Sequence, residues 1–345
     1  MRIEALVAVL TLIGRHGAYF APRKGQNSVR LLAKPDIVVV GASAGGVEAL
    51  KKLAAGLPRN FPAAVFVVLH IGEGIDGQSM LPDILNRVGP VPAMHPHDFD
   101  AIRPGRIYVA KPDFHMIVED SHIRMTKGPK ENRTRPAINP LFRTAAQAYG
   151  RRVIGVVLSG LLDDGAAGLA EVKRRGGITV VQNPETALFP NMPASALERV
   201  TVDHVAEPKD LGPLLDSLTR IHAGKEDRVS AEEMEPKTRA LTKMRCPECH
   251  GPIWVEHQGK ISEYRCRVGH AYSPLNFAYD TRAMLERSVW TAIIALEDAA
   301  EIAEEIGQEG SANEAQAHRA HATELRGLLQ RVLETQESSE SGGKS

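Results

Sequence analysis

From residue 37 onward, short apolar runs alternate with stretches of helical periodicity, and Gly or Pro stands at nearly every junction. Most of the runs are apolar throughout, which is typical of strands buried on both faces of a parallel sheet. The pattern predicts a doubly wound α/β domain with a mostly parallel sheet. The predicted strands are residues 37–41, 65–70, 106–109, 153–158 and 178–181, and the predicted helices are residues 47–56, 80–88, 139–149, 166–175, 193–200 and 211–221.

We expect this domain to span residues 35–222, after which the character of the sequence changes. Residues 223–243 are charged and poor in large apolar side chains, which favours a linker. Residues 244–275 hold every cysteine, and residues 276–337 carry two apolar stripes that predict a helical hairpin. We interpret these stripes as packing surfaces rather than as a docking face. Residues 338–345 are predicted to be a disordered tail.

Charge, cysteine usage and hydropathy exclude several classes of protein. The 42 basic and 42 acidic residues cancel, so no overall field favours a nucleic-acid partner. Three cysteines, an odd number, favour a reducing compartment, and we expect a cytoplasmic protein. The apolar run at residues 5–13 is shorter than the roughly 20 residues of a membrane helix, so no membrane insertion is expected. We predict that residues 1–34 are a disordered leader or a short helix.

A Gly-rich turn, Gly-Ala-Ser-Ala-Gly-Gly, follows the first strand at residues 41–46. A dinucleotide site would need a second glycine where Ser43 stands and an acidic residue where His70 ends the second strand. We therefore expect no organic cofactor. A serine on such a turn, with helix amides behind it, suits a nucleophile, but a serine in this position is more often a helix cap, which is the alternative interpretation of Ser43.

Two further polar residues are predicted to lie at the same edge of the sheet. His70 closes the second strand, and Asp164 follows the strand predicted at residues 153–158. Taken alone, His70 is explained as a structural histidine and Asp164 as a helix N-cap. Together with Ser43, they form the set required for base-activated nucleophilic attack.

Several segments in the same order resemble the catalytic domain of the chemotaxis protein-glutamate methylesterases, CheB. They are residues 41–46, His70, and residues 108–115, 135–142, 158–169 and 183–187, within a match from about Pro35 to Ile221. The resemblance implies a doubly wound parallel sheet and hydrolysis of glutamate methyl esters on chemoreceptors, often with deamidation of receptor glutamines. It also implies Ser43 as the nucleophile, His70 as the general base and then acid, and Asp164 as the carboxylate that orients the imidazole.

The sequence departs from the family pattern at a few positions. Ala44 replaces a usual Thr, and Leu161 begins a Leu-Leu pair where Met-Gly is usual. The resemblance implies an oxyanion site built from backbone amides, which Ala44 and Leu161 can supply whatever their side chains. Asn139 replaces a usual Asp, which we expect to alter substrate contacts. The 34 residues before Pro35 are too few for the receiver domain that typical members carry.

A second constellation consists of Cys246, Cys249, Cys266 and His270. Cys-x₂-Cys and Cys-x₃-His knuckles separated by sixteen residues predict one tetrahedral zinc ion with four protein ligands, which is a structural site. Free thiols in a small core are the alternative interpretation, and His250 and His257 are nearby candidates with poorer spacing. Because the metal is predicted to be structural, its removal is expected to unfold this zinc-ribbon-like segment alone and to leave ester hydrolysis intact.

The resemblance therefore implies a methylesterase that acts on the cytoplasmic domains of methyl-accepting chemoreceptors, alongside a cognate methyltransferase system. The alternative is a catalytically silent scaffold in which the zinc ribbon and the hairpin bind partners. The presence of Ser43, His70 and Asp164 together favours the enzyme.

Overall fold

The computed structural model describes residues 34–70, 79–220, 236–308 and 310–341. Apart from its last residue, the predicted leader at residues 1–34 lies outside these ranges, as do residues 223–235 of the predicted linker and residues 342–345 of the predicted tail. Within these ranges, no helix combines the length and the apolar character needed to cross a membrane.

A seven-stranded parallel sheet forms the centre of the α/β domain, as the apolar runs predict. The strands of the domain are β1 (Ile37–Ala42), β2 (Ala64–Leu69), β3 (Ala93–Met94), β4 (Arg106–Val109), β5 (His115–Val118), β6 (Ile123–Thr126), β7 (Val153–Val157), β8 (Ile178–Gln182) and β9 (His204–Ala206). The order in the sheet is β3-β4-β2-β1-β7-β8-β9, while β5 and β6 pair as a separate antiparallel hairpin. The strand order therefore reverses at β1, and doubly wound sheets bind their ligands at such a reversal.

Helices cover both faces of the sheet. They are α1 (Gly46–Gly56), α2 (Leu81–Val88), α3 (Ile138–Tyr149), α4 (Ala166–Arg174), α5 (Asn191–Arg199) and α6 (Leu211–Arg220). Along β1, Val38 and Val40 face the core under α1, α2 and α6, whereas Val39 faces the core under α3, α4 and α5. Because successive side chains of a strand point to opposite faces, a strand covered on both sides must be apolar at every position.

The cysteine-containing segment forms a four-stranded antiparallel sheet of β10 (Thr238–Arg245), β11 (Pro252–Gln258), β12 (Ile261–Cys266) and β13 (Ala271–Tyr272). The strand β10 starts inside the predicted linker at residues 223–243, so the prediction of a linker was wrong from Thr238 onward. The reason is that β10 is an edge strand with almost every side chain exposed. A strand that buries no face shows no periodic apolar pattern in the sequence.

Two long helices, α7 (Pro274–Ile306) and α8 (Ser311–Ser341), pack against each other as the predicted hairpin. The helix α8 continues to Ser341, three residues beyond the predicted start of the disordered tail at residue 338. Adding a polar residue to an existing helix closes one more backbone hydrogen bond at little cost, so polarity alone does not mark its end. The contact between the helices uses Ala300, Ala303 and Ala315, whereas Leu285 is half exposed.

Candidate active site and metal cluster

Ser43 is the first residue after β1, on the turn that leads into α1. Its backbone N–H donates to the Ser159 carbonyl at 3.0 Å, and its own carbonyl accepts from Gly46 N–H at 2.9 Å. Gly45 has a φ of 72°, in the left-handed region that glycine adopts without steric cost. Among the described residues, the Ser43 Oγ has no hydrogen-bond partner, and no side chain caps α1. The helix-cap interpretation of Ser43 is therefore not what the structure shows.

His70 lies beside Ser43 at the carboxyl edge of the sheet. The last paired residues of β1 and β2 are Ala42 and Leu69, and the next step of the register places Ser43 opposite His70. The backbone N–H of His70 donates to the Ala42 carbonyl at 3.0 Å, so the regular ladder extends to this point. Neighbouring strands lie about 4.8 Å apart, which is close enough for the two side chains to interact.

The imidazole of His70 is held by two side chains through one of its nitrogens. Its Nε2 lies 3.0 Å from Asp164 Oδ2, and the Thr134 Oγ1 lies 3.2 Å from the same nitrogen. With Nε2–H donating to the carboxylate, Nδ1 is the nitrogen with a lone pair available to accept a proton. The carboxylate thereby selects the tautomer of the ring.

The Asp164 carboxylate is buried, with only 3 % of the residue exposed, and is surrounded by donors. It accepts from Asn132 Nδ2 at 2.8 Å, Ile138 N–H at 2.7 Å and Gly165 N–H at 2.9 Å. Burial by itself raises the pKa of Asp164, but the hydrogen bond and charge of His70, followed by those amide donors, hold this pKa below its ordinary value. The carboxylate therefore stays charged and fixed in orientation.

Two unpaired amides lie on the segments that flank Ser43. In the part of the chain that the structure describes, the backbone N–H groups of Ala44 and Leu161 make no hydrogen bond. Gly160 allows its segment to approach closely, because a Cβ there would lie 2.8 Å from the Ser43 Cβ. Ala44 also precedes the N-terminus of α1, whose partial positive charge favours a developing oxyanion.

The sequence alone did not reveal several residues that build this site. Asn132 and Thr134 bond to Asp164 and His70 from the loop between β6 and α3. Ser159 holds the turn, since its Oγ donates to the Ala44 carbonyl at 2.8 Å and its N–H donates to Gln182 Oε1 at 2.9 Å. Loop polar residues follow no periodicity, so no pattern in the sequence indicates which of them meet the site.

Asn139 has a different role from the one expected. The residue is 2 % exposed, and its Oδ1 accepts from Gly165 N–H at 3.1 Å and from Gly168 N–H at 2.8 Å. It therefore secures the first turn of α4 from within the domain, and the expectation that Asn139 alters substrate contacts was wrong. An amide oxygen can accept these two bonds as well as a carboxylate can.

A cluster of three cysteines and a histidine lies in the C-terminal half. One ligand atom from each of Cys246, Cys249, Cys266 and His270 lies within 4.8 Å of the others. The His270 Nδ1 is 3.7 Å from Cys246 Sγ and 3.5 Å from Cys266 Sγ, and the Cys249 and Cys266 sulfurs are 3.6 Å apart. The edges of a tetrahedral zinc site with such ligands measure about 3.5–3.8 Å. These three distances lie within that range, so the cluster is compatible with one metal ion.

The two alternative histidines do not join this cluster. His250 is exposed, and His257 is an exposed strand residue whose Nδ1 lies 2.8 Å from Ser262 Oγ. The structure thus brings together the four residues that the Cys and His spacing predicts, within the described part of the chain.

Comparison with known proteins relates the first half of the chain to one family. A family model described as CheB methylesterase matches residues 38–215. A Leptospira interrogans protein, provisionally named protein-glutamate methylesterase/protein-glutamine glutaminase, is 37% identical over 184 residues, which are 53% of this chain and 94% of the relative. A protein-glutamate methylesterase/protein-glutamine glutaminase from Pyrococcus abyssi is 37% identical over 172 residues, which are 49% of this chain and 46% of that relative.

A solved structure shows the same fold. The catalytic domain of the Thermotoga maritima CheB methylesterase is 30% identical, with a TM-score of 0.51. The similarity covers all of that domain and 54% of this chain.

Proposed function

Because this chain belongs to the CheB methylesterase family, we propose that it hydrolyses methyl esters of glutamate side chains in proteins, with Ser43, His70 and Asp164 as its catalytic residues. The observation that carries this proposal is the buried Asp164 carboxylate, which lies 3.0 Å from Nε2 of a histidine that stands beside an unbonded serine. This arrangement is the one that activates a serine for attack on a carbonyl carbon.

In the proposed reaction, Ser43 Oγ attacks the ester carbonyl carbon while its proton passes to Nδ1 of His70. The charge that develops on the carbonyl oxygen is stabilised by the amides of Ala44 and Leu161, which are not used elsewhere among the described residues. His70 then returns the proton to the methoxy oxygen, and methanol leaves. A water molecule, deprotonated by His70, hydrolyses the acyl-enzyme, which regenerates Ser43 and releases the glutamate.

The same residues can deamidate glutamine. The leaving group would be ammonia instead of methanol, and every other step would be unchanged. This second activity is supported by the names of the relatives in Leptospira and Pyrococcus, which combine both reactions.

The substrates that we propose are the cytoplasmic domains of methyl-accepting chemoreceptors, which a cognate methyltransferase would modify. This proposal is supported by membership of the CheB family, and with it we propose that the reaction takes place in the cytoplasm. A reducing compartment also agrees with three free cysteines, of which two are buried.

We also propose that Cys246, Cys249, Cys266 and His270 hold one structural zinc ion. Four protein ligands leave no open position for substrate or water, so the ion would stabilise the small sheet and take no part in the reaction. The buried side chains around it, which include Ile253, are few, and a small core of this kind needs such a cross-link.

The test is methanol release from methylated chemoreceptor fragments incubated with the purified full-length protein. We expect release by the wild type and none by Ser43→Ala, because the nucleophile is removed. The matched control is Ser217→Ala, which changes an exposed serine on α6 and is expected to react at the wild-type rate. A wild-type protein that releases no methanol would favour the scaffold interpretation over the enzyme.

A further inference from the structure

The turn at residues 131–134 contacts the candidate triad on one side and the C-terminal half of the chain on the other. Two consecutive residues of this turn, Asn132 and Arg133, have positive φ values of 47° and 69°. Residues other than glycine adopt this backbone conformation at a cost in free energy. The contacts around the turn must therefore hold it in place. These contacts come from both halves of the chain.

Asn132 connects the two halves with three hydrogen bonds. Its Nδ2 donates to Asp164 Oδ1 at 2.8 Å, its Oδ1 accepts from Ser273 N–H at 2.7 Å, and its own N–H donates to the Ala271 carbonyl at 2.7 Å. The residue is 3 % exposed, so water cannot readily replace any of these partners. Asn132 is therefore oriented by the segment at residues 271–273, which directly follows the predicted metal ligand His270.

That segment is itself anchored next to the triad. Ser273 Oγ donates to Asp163 Oδ1, and Asn276 Nδ2 donates to the same oxygen at 2.8 Å. The other oxygen of Asp163 accepts from Arg199 at 2.6 Å, and Asp163 is 1 % exposed. The consecutive carboxylates of Asp163 and Asp164 are thus both tied to the start of α7, one directly and the other through Asn132.

We propose that Asn132 is a positioning residue for Asp164 and that residues 271–273 of the C-terminal half hold Asn132 in place. The proposal rests on the proposed function, since the readout is ester hydrolysis. It implies that the C-terminal half contributes to hydrolysis, although among the described residues none of that half forms a hydrogen bond or ion pair with the side chain of Ser43 or His70.

The physical reason is the geometry of a buried charge. A carboxylate with several fixed donors keeps one orientation, and that orientation sets the position of the His70 ring. Removing one donor leaves Asp164 buried with fewer partners, which raises its pKa and widens its range of orientations. Because these bonds act through the Asp164 carboxylate, we expect the effect in kcat, with KM nearly unchanged.

The main variant is Asn132→Gly in the full-length protein. Glycine adopts the observed φ freely, so the variant removes the side-chain bonds without adding backbone strain. We expect kcat to fall by about 10- to 100-fold, the range for a hydrogen bond to a buried charge. We also expect the acid limb of the kcat/KM profile to move to higher pH. The ionisable groups that act on Asp164 are His70 by contact, and His115 and Arg143 electrostatically.

If Asn132→Gly fails to fold, Asn132→Asp replaces it. The aspartate keeps the shape and an acceptor for the Ser273 N–H, but it loses the donor to Asp164 and places a second carboxylate beside it. Two adjacent carboxylates raise the pKa of one of them, so the acid limb should move further than in the glycine variant.

The contribution of the C-terminal half is tested by Ser273→Ala, which removes the bond to Asp163. We expect a fall in kcat of about three- to tenfold with the acid limb moved in the same direction. The matched control is Ser288→Ala, which changes an exposed serine of α7 whose Oγ bonds to the Met284 carbonyl within the same helix. This control should retain the wild-type kcat and pH profile.

The outcomes separate this inference from the proposed function. A wild-type protein without esterase activity refutes the function, and the inference with it. An active wild type whose Asn132→Gly variant keeps the wild-type kcat and pH profile overturns the role of Asn132 alone. An unchanged Ser273→Ala variant, or a Ser288→Ala variant impaired as strongly as Asn132→Gly, overturns the role assigned to residues 271–273.

Discussion

The two halves of the molecule reach a stable core in different ways. The α/β domain buries apolar side chains on both faces of a seven-stranded sheet, and most strand residues are fully enclosed. The small sheet has a core of five buried residues, two of which are the cysteines Cys246 and Cys266. The contrast indicates that the large domain is held by its own packing, whereas the small sheet depends on a cross-link and on the neighbour against which it packs.

The large domain also depends on contacts from the C-terminal half. Asp163 and Asn132, both buried in the large domain, take hydrogen bonds from Ser273, Asn276 or both. The expectation that removal of the metal would leave ester hydrolysis intact assumed two independent modules. The shared buried bonds lead us to replace it with the prediction that follows.

The largest expected effect concerns the metal. Cys249→Ser should reduce bound zinc to well below one ion per chain and unfold the small sheet, because structural zinc contributes about 10 kcal/mol or more to the folding of such a module. We expect kcat to fall about tenfold as residues 271–273 lose their position, a loss comparable to that of one buried bond. Elemental analysis and methanol release measure the two effects. His257→Ala is the control and should retain its zinc, and a zinc-free variant with full activity would restore the view of two independent modules.

The second prediction concerns the α/β domain alone. Asp164→Asn should lower kcat by about 10⁴-fold, since an amide can no longer select the His70 tautomer or stabilise its charge. Asp203→Asn is the control, because Asp203 bonds to Lys173 and Thr179 away from the triad and should not affect turnover. The rate of methanol release and the thermal unfolding of both variants provide the comparison. A large loss of stability with normal turnover would assign Asp164 a purely structural role.

The third prediction compares the two cores directly. Phe142 is fully buried in the large domain, and its replacement by alanine should lower the free energy of unfolding by about 3–5 kcal/mol. Phe277 stacks on Tyr264 with ring centroids 4.8 Å apart, and Phe277→Ala should destabilise the small sheet alone. Calorimetry of both variants would resolve the transitions. A single transition that both substitutions shift equally would mean that the halves unfold as one unit.

The smallest expected effect is a pH dependence of stability. The folded pKa of Asp164 lies below its ordinary value of 3.8, so the folded state binds this proton more weakly than the unfolded state. The resulting stabilisation is complete above about pH 5 and is lost as the pH falls through the folded pKa. Wild type and Asp164→Asn should therefore converge in stability on acidification, as denaturant titrations at several pH values would show. A difference that stays constant below pH 4 would contradict the lowered pKa.

The predictable parts of the fold were those that a local pattern encodes. The strands β1, β2 and β7 are continuous apolar runs, and the parallel arrangement then places Ser43, His70 and Asp164 at one edge of the sheet. The proximity of Cys246, Cys249, Cys266 and His270 was predictable because their spacing along the chain is typical of residues that share one metal ion.

Other features depend on tertiary contacts that no local pattern reports. Asn132 reaches Asp164 only because a turn with two positive φ values brings it there. Because the exposed strand β10 buries no face, its sequence shows no alternation of apolar and polar residues that would predict a strand. In the hairpin, closely packed helices place Ala300 and Ala303 at their contact, so the larger apolar residue Ile306 is left half exposed.

The length of α7 sets a spatial scale for whatever the hairpin contacts. The helix starts at Pro274, next to the serine that bonds Asp163, and continues for 33 residues. At 1.5 Å per residue, its far end lies about 50 Å from that start. Any contact made at the tip of the hairpin is therefore about 50 Å away from the end of α7 that bonds to Asp163.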